Sequence, residues 1–289
     1  MISPSTISGL STVAERYDAI LCDVWGVIHN GRESFAGALD ALVQFHKTTG
    51  GPTVLLSNSP RPSENVKHQL RQLQVPDETY TGFVTSGDAT RAELKRRAPG
   101  PVWVVGAERD LPLYEGIELD FVDAHAAAFV SVTGMADDET ETPEDYRAAL
   151  AIAAARGLPL VCANPDRVVQ RGEKLIYCAG ALADLYETLG GQVIMAGKPY
   201  APIYEMAYAE IDLQAGRQVP RDRILAIGDG LITDVAGAHG QGLDCLFIAS
   251  GIHAGDSFSA DGGLDPTRIG ALLDRAGLAA TYAMPHLVW

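Results

Sequence analysis

Ala19-Ile20-Leu21-Cys22-Asp23, running on into Val24-Trp25-Gly26-Val27-Ile28-His29-Asn30-Gly31, reads as an apolar strand that ends on a carboxylate and turns at once. Short apolar runs bounded by turn residues mark strands buried on both faces, as in parallel sheets. Far downstream Ile224-Leu225-Ala226-Ile227-Gly228-Asp229-Gly230-Leu231-Ile232-Thr233-Asp234 repeats the design. Between them Thr53-Val54-Leu55-Leu56 leads into Ser57-Asn58, and Val193-Ile194-Met195-Ala196 into Gly197-Lys198-Pro199. The four strand ends offer an acid, a hydroxyl, an ammonium and two further acids. Those groups suit a divalent cation, a phosphoryl group and a carboxylate that attacks phosphorus.

Taken singly, each element has a plainer reading. Asp23 fits a turn aspartate, Asp229 and Asp234 an Asx turn before a helix capped by Thr233, Ser57-Asn58 an ordinary turn, and Lys198 a surface lysine. Their joint order, each after a strand, is what points to chemistry. Strands buried at the Asp23 and Asp229 ends deliver carboxylates to the carboxyl edge of the sheet, where open α/β sheets bind ligands.

Apolar runs alternate with amphipathic helical patterns along most of the chain, which predicts parallel sheets covered by helices. Leu39, Leu42, Val43 and His46 share one helical face, and Val66, Leu70 and Leu73 another. Thr142-Pro143-Glu144-Asp145 opens a helix that Gly157 closes. The four motif elements all lie before about residue 60 or after about residue 195, whereas the middle has its own strands and helices. This pattern predicts a core formed by 1–87 and 189–289, with residues 88–188 inserted as a separate α/β domain.

The composition is that of an ordinary globular protein, 47% hydrophobic and 20% charged, with 289 residues for its core. A net charge of −15 is a poor surface for nucleic acid or an anionic membrane. The N-terminus lacks a basic n-region with an apolar core, and no stretch reaches the roughly 18 apolar residues of a membrane span. Cys22, Cys162, Cys178 and Cys245 form no CxxC pair and suit buried thiols in a reducing cytoplasm.

The ordered set Asp23-x-Trp25-Gly26-Val27, Ser57-Asn58, Gly197-Lys198-Pro199 and Gly228-Asp229-x-x-x-x-Asp234 resembles the haloacid dehalogenase superfamily. The large insertion, with Ala163-Asn164-Pro165-Asp166 inside it, resembles class IIA, the NagD-like and 4-nitrophenylphosphatase-like members. The resemblance implies a doubly wound parallel-sheet core with an inserted α/β cap that closes over the site and selects a small phosphorylated metabolite, such as a sugar phosphate or a phosphoglycolate-like ester. It implies Asp23 as the nucleophile forming an aspartyl-phosphate, Ser57 on the phosphoryl oxygens and Lys198 neutralising the phosphate. It implies Mg²⁺ held by the Asp23 carboxylate, the Trp25 carbonyl and Asp229, with Asp234 adjacent. Asn58, Arg61, Asn164 and His253 are the expected substrate contacts, with Asp166 and Arg167 beside them, and a homodimer through the cap is an expected assembly.

Trp25 departs from the hydrolytic pattern, which usually carries aspartate two residues after the nucleophile to protonate the leaving oxygen. Indole has no proton to give, and loss of a general acid costs about 10²–10⁴ in rate. The sequence therefore predicts a phosphatase that is slow or selective for good leaving groups, with His29 or His253 as replacement acids to weigh. The alternative is a catalytically weak phospholigand-binding regulator on the same scaffold, against which the retained nucleophile, lysine and acids speak. A receiver-like phospho-aspartate regulator would not need the large insertion.

Overall fold

A computed structural model describes residues 3–171, 174–259 and 261–289. In chain order its strands are β1 (Ser5–Thr6), β2 (Ala19–Cys22), β3 (Thr53–Ser57), β4 (Gly82–Thr85), β5 (Pro101–Val105), β6 (Asp120–Phe121), β7 (Phe129–Val132), β8 (Pro159–Cys162), β9 (Val168–Arg171), β10 (Lys174–Tyr177), β11 (Gln192–Met195), β12 (Ile224–Gly228), β13 (Asp244–Ile248) and β14 (Tyr282–Met284). By contacts the chain divides into two units, Met1–Ser57 with His68–Val84 and Tyr204–Trp289, and Asn58–Lys67 with Thr85–Ile203.

The first unit carries a sheet in the order β1-β14-β13-β12-β2-β3-β4. The pairs from β1 across to β3 are parallel. From β2 the chain moves outward to β3 and β4, then returns to β12 and continues through β13 and β14 on the other side. The order therefore reverses between β2 and β12, and such a switch point opens a crevice at the carboxyl edge. β2, β3 and β12 are buried along their whole length, as their unbroken apolar runs require.

Between β2 and β3 the helix Ala36–Thr49 buries Ala38, Ala41, Leu42 and Phe45, and Gly50 closes it with a left-handed φ of 71°. That stripe lies one residue before the expected Leu39, Leu42, Val43 and His46 face. Small alanines let the helix pack closely on the sheet, and they carry little weight in a count of large apolar side chains. The four cysteines are buried free thiols.

The second unit has its own parallel sheet, β11-β8-β7-β5-β6, and the antiparallel hairpin β9–β10. Its core joins Val130, Val132, Leu150, Leu160, Leu182 and Tyr186. The Tyr186 hydroxyl donates to the Leu158 carbonyl at 2.6 Å, so the phenol is satisfied where it is buried. Thr142 and Asp145 form the expected capping box, and the helix ends before Gly157, whose φ is 68°. β11 pairs with β8, from Gln192↔Pro159 to Met195↔Cys162, so this strand belongs to the inserted sheet although the sequence reading assigned 189–289 to the core. An apolar run reports that a strand is buried, but not which sheet it joins.

The fold is thus a doubly wound α/β core interrupted by a second α/β unit. Among the described residues, no helix is long and apolar enough to cross a membrane. Leu182 is fully buried in the second unit. Leu182→Ala should lower stability by about 2–5 kcal/mol, the range for a cavity in a packed core. Tyr186→Phe, which strands one carbonyl, should lower it by about 1–3 kcal/mol. Denaturant titration of both variants checks the order.

Candidate active site

Asp23 follows β2 immediately, and its N–H donates to the Ile227 carbonyl of β12 at 2.8 Å. The ladder thus runs one residue past the strand and sets Asp23 beside the turn that carries Asp229. Asp234 lies in a single π turn, Leu231–Val235, ahead of the helix Ala236–Gln241. The Asp234 and Val235 N–H groups share the Gly230 carbonyl at 2.9 and 3.0 Å, and the Gly230 N–H donates to Asp234 Oδ2 at 3.0 Å. π turns recur at functional sites because they re-aim one side chain without ending the helix.

Asp23, Asp229 and Asp234 are 8%, 7% and 7% exposed. One carboxylate oxygen of each lies within 4.8 Å of the others. Gathered carboxylates repel, and burial sharpens the cost by removing water. An all-oxygen, triply acidic donor set suits a hard divalent cation, so the residues fit the metal that the sequence implies. Gly26 makes the approach possible: it holds φ at +87°, and a Cβ there would overlap the Asp229 carboxylate. Ser57 ends β3, the strand next to β2, and so stands at the same carboxyl edge of this unit, buried.

The Trp25 indole packs over Gly31, where a side chain would overlap it, and lies edge-on to the His29 ring at 5.2 Å. His29 is 2% exposed, and its Nδ1 accepts the Gly31 N–H at 3.0 Å. Burial pushes His29 down to about 4, so the imidazole is neutral near pH 7 and carries no spare proton there. His29 therefore serves the turn that fixes Trp25. His253 lies half-buried after β13, its ring 6.4 Å from Phe247, and burial lowers its pKa also.

In the second unit the Asn58 amide is taken up by the chain around Lys198. Its Oδ1 accepts the Lys198 N–H at 2.7 Å, and its Nδ2 donates to the Lys198 carbonyl at 3.2 Å and to Asp166 at 2.9 Å. This bracket fixes the backbone of a lysine that is itself only 3% exposed. Asn164 closes an Asx turn by accepting the Asp166 N–H at 3.0 Å. Arg61 lies 3.9 Å from buried Asp110, and Arg167 pairs with Asp184. Sequence reasoning missed Asp110, which no motif marks, and the Gly251-Ile252 backbone. There the Ile252 N–H donates to Asp229 Oδ2 at 2.9 Å. A glycine in the turn that follows β13 was the available signal.

Two sequence profiles match the chain, one described as haloacid dehalogenase-like hydrolase over residues 20–120 and one as HAD-hydrolase-like over 195–273. The structure of a hydrolase of the haloacid dehalogenase-like family from Brucella suis 1330 is 44% identical. It superposes with a TM-score of 0.87 over 99% of this chain and 100% of that one. The D-glycerol 3-phosphate phosphatase of Mycobacterium tuberculosis is 29% identical over 90% of this chain and 71% of its own length. The ribonucleotide monophosphatase NagD of Escherichia coli K12 is 25% identical over 83% of this chain and 91% of its own.

Calorimetry with Mg²⁺ should show one site that Asp229→Ala abolishes. At a free concentration of a hundred times Kd, the parent should gain about 2.7 kcal/mol of stability and the variant nothing. Asn58→Ala should leave Mg²⁺ binding in place while lowering stability by about 1–3 kcal/mol, because three hydrogen bonds lose their partner.

Proposed function

Because the chain belongs to the haloacid dehalogenase-like hydrolase family, with the class IIA arrangement of core and insert, we propose that it is a Mg²⁺-dependent phosphatase using Asp23 as nucleophile on a small phosphorylated metabolite. The observation that carries the reading is the placing of Asp23 beside Asp229 at the switch point, with Asp234 completing a buried acidic triad.

In this reading an Asp23 carboxylate oxygen bonds to phosphorus as the ester oxygen leaves with the bonding pair, and water then releases phosphate from the aspartyl-phosphate. Asp23, the Trp25 carbonyl, Asp229 and Asp234 would hold the cation. When bound, it offsets the charge that otherwise keeps a carboxylate from a phosphate dianion. Ser57 and Lys198 take the phosphoryl contacts, and Arg61, Asn164 and His253 the substrate. Asn58 takes part by bracketing Lys198. The relatives act on glycerol and nucleotide phosphates by name, which supports a sugar-phosphate or glycolate-like ester. The exposed Leu175 and Tyr177 of the β9–β10 hairpin support self-association through the inserted unit.

Trp25 shapes the expected selectivity. Neither the indole nor the neutral, buried His29 supplies the proton that an alkoxide leaving group needs. The same facts favour the second reading, a catalytically weak phospholigand-binding regulator, whose mark would be tight binding without turnover.

Asp23→Asn should abolish phosphate release with the fold intact, since an amide is a poor nucleophile. Acid-trapped phosphate should map to Asp23 in the parent; turnover by Asp23→Asn close to that of the parent would sink the mechanism. Trp25→Asp should speed hydrolysis of alkyl phosphates by up to about 10²–10⁴ and that of p-nitrophenyl phosphate much less, because the phenolate departs unaided. Comparing both substrates, with His253→Ala as background, tests whether a second acid already serves. A phosphometabolite panel with Mg²⁺ that shows binding and no release would favour the regulator.

A further inference from the structure

Asp229 is gripped by backbone from two directions. On one side is the turn after β2, where Gly26 leaves no atom in the way. On the other is Ser250-Gly251-Ile252-His253, in the loop that follows β13. Here a Cβ on Gly251 would overlap Asp229 Oδ2, and the next N–H, that of Ile252, donates to the same oxygen at 2.9 Å. The overlap is with a carboxylate that is itself only 7% exposed, so it has little room to turn aside.

This loop is tethered on both sides. Ala249 and Ser250 donate their N–H groups to Met284 and Pro285 carbonyls, each at 3.0 Å, which extends the β13–β14 ladder into the turn. Beyond Ile252, the Ala254 N–H returns to the Gly251 carbonyl at 3.1 Å, and Ser257 Oγ donates to the His253 carbonyl at 2.9 Å. The Ile252 side chain is 37% exposed, so packing of that residue does not explain its place. Its amide is the part that reaches the acid.

We propose that Gly251 and the Ile252 N–H are positioning elements for Asp229. By close approach and one hydrogen bond they set the carboxylate plane that a divalent cation meets. The inference rests on the metal site proposed above and extends it to a loop that carries no ligand. A donor behind a ligating carboxylate fixes its orientation, and removal of such partners typically lowers metal affinity 10–100-fold. Gly251 acts by being small and Ile252 through its backbone alone, so side-chain chemistry at 252 is irrelevant and side-chain size at 251 decisive.

The test is Mg²⁺ calorimetry on the full chain. Gly251→Ala and Ile252→Pro, which adds the Cβ or removes the N–H, should each weaken binding by about 10–100-fold, whereas Ile252→Val should match the parent. Activity should follow as a raised Mg²⁺ requirement, with kcat recovered at saturating metal. A folded Gly251→Ala protein that binds Mg²⁺ within about twofold of the parent overturns the proposal. If neither variant folds, the labelled parent decides: the Ile252 amide resonance should shift on Mg²⁺ titration with the calorimetric Kd, and an unmoved resonance overturns it. Equal Mg²⁺ binding by Asp229→Ala would instead bring down the metal site itself, and this inference with it.

Discussion

Repulsion among Asp23, Asp229 and Asp234 is the constraint on which the rest of this structure turns. Three buried carboxylates with oxygens inside 4.8 Å are unfavourable as an apolar core element and as a polar one. They persist because the sheet leaves them no alternative. β2 and β12 pair in register, and Asp23 continues the ladder onto Ile227. The strands, buried along their whole length, hold this edge with far more apolar contact than the acids can oppose. A divalent cation would convert this liability into a binding site, as the proposed function requires.

The surrounding turns are built to aim these acids. The π turn directs Asp234 while its Oδ2 takes the Gly230 N–H, and the Ile252 N–H does the same for Asp229. Backbone donors suit this work because the sheet fixes them, so little entropy is lost when a ligand arrives. In the second unit the same economy recurs with a side chain. Asn58 spends its amide on both backbone groups of Lys198, so an asparagine that a motif reading places on substrate instead fixes the chain carrying the lysine.

Trp25 and His29 belong to one local arrangement. Indole and imidazole meet edge to face, Gly31 leaves room for the indole, and the Gly31 N–H consumes Nδ1. The turn after Asp23 is therefore filled with a fixed, apolar surface. Burial of His29 reinforces this, since its charged form is disfavoured near neutral pH. On the proposed function, turnover then depends on how well the leaving group departs without help.

Much of this was legible in the chain itself. Unbroken apolar runs ending on Asp23 and Asp229 gave buried parallel strands and carboxylates at their edge, because a strand buried on both faces has no other pattern. Gly26, Gly157 and the Thr142 cap marked turns and helix ends through local backbone geometry. Other features are properties of pairing and depth. The assignment of β11 to the inserted sheet, the spending of the Asn58 amide on Lys198, and the burial that keeps His29 neutral depend on residues distant in sequence. The Ile252 donor is the sharpest case, because a backbone N–H is present at almost every position and acquires a role only when the fold aims it. The sequence by itself determined which chemical groups this protein owns and that they end strands; only the tertiary structure decided which of them meet, since distance, burial and orientation arise from packing between segments.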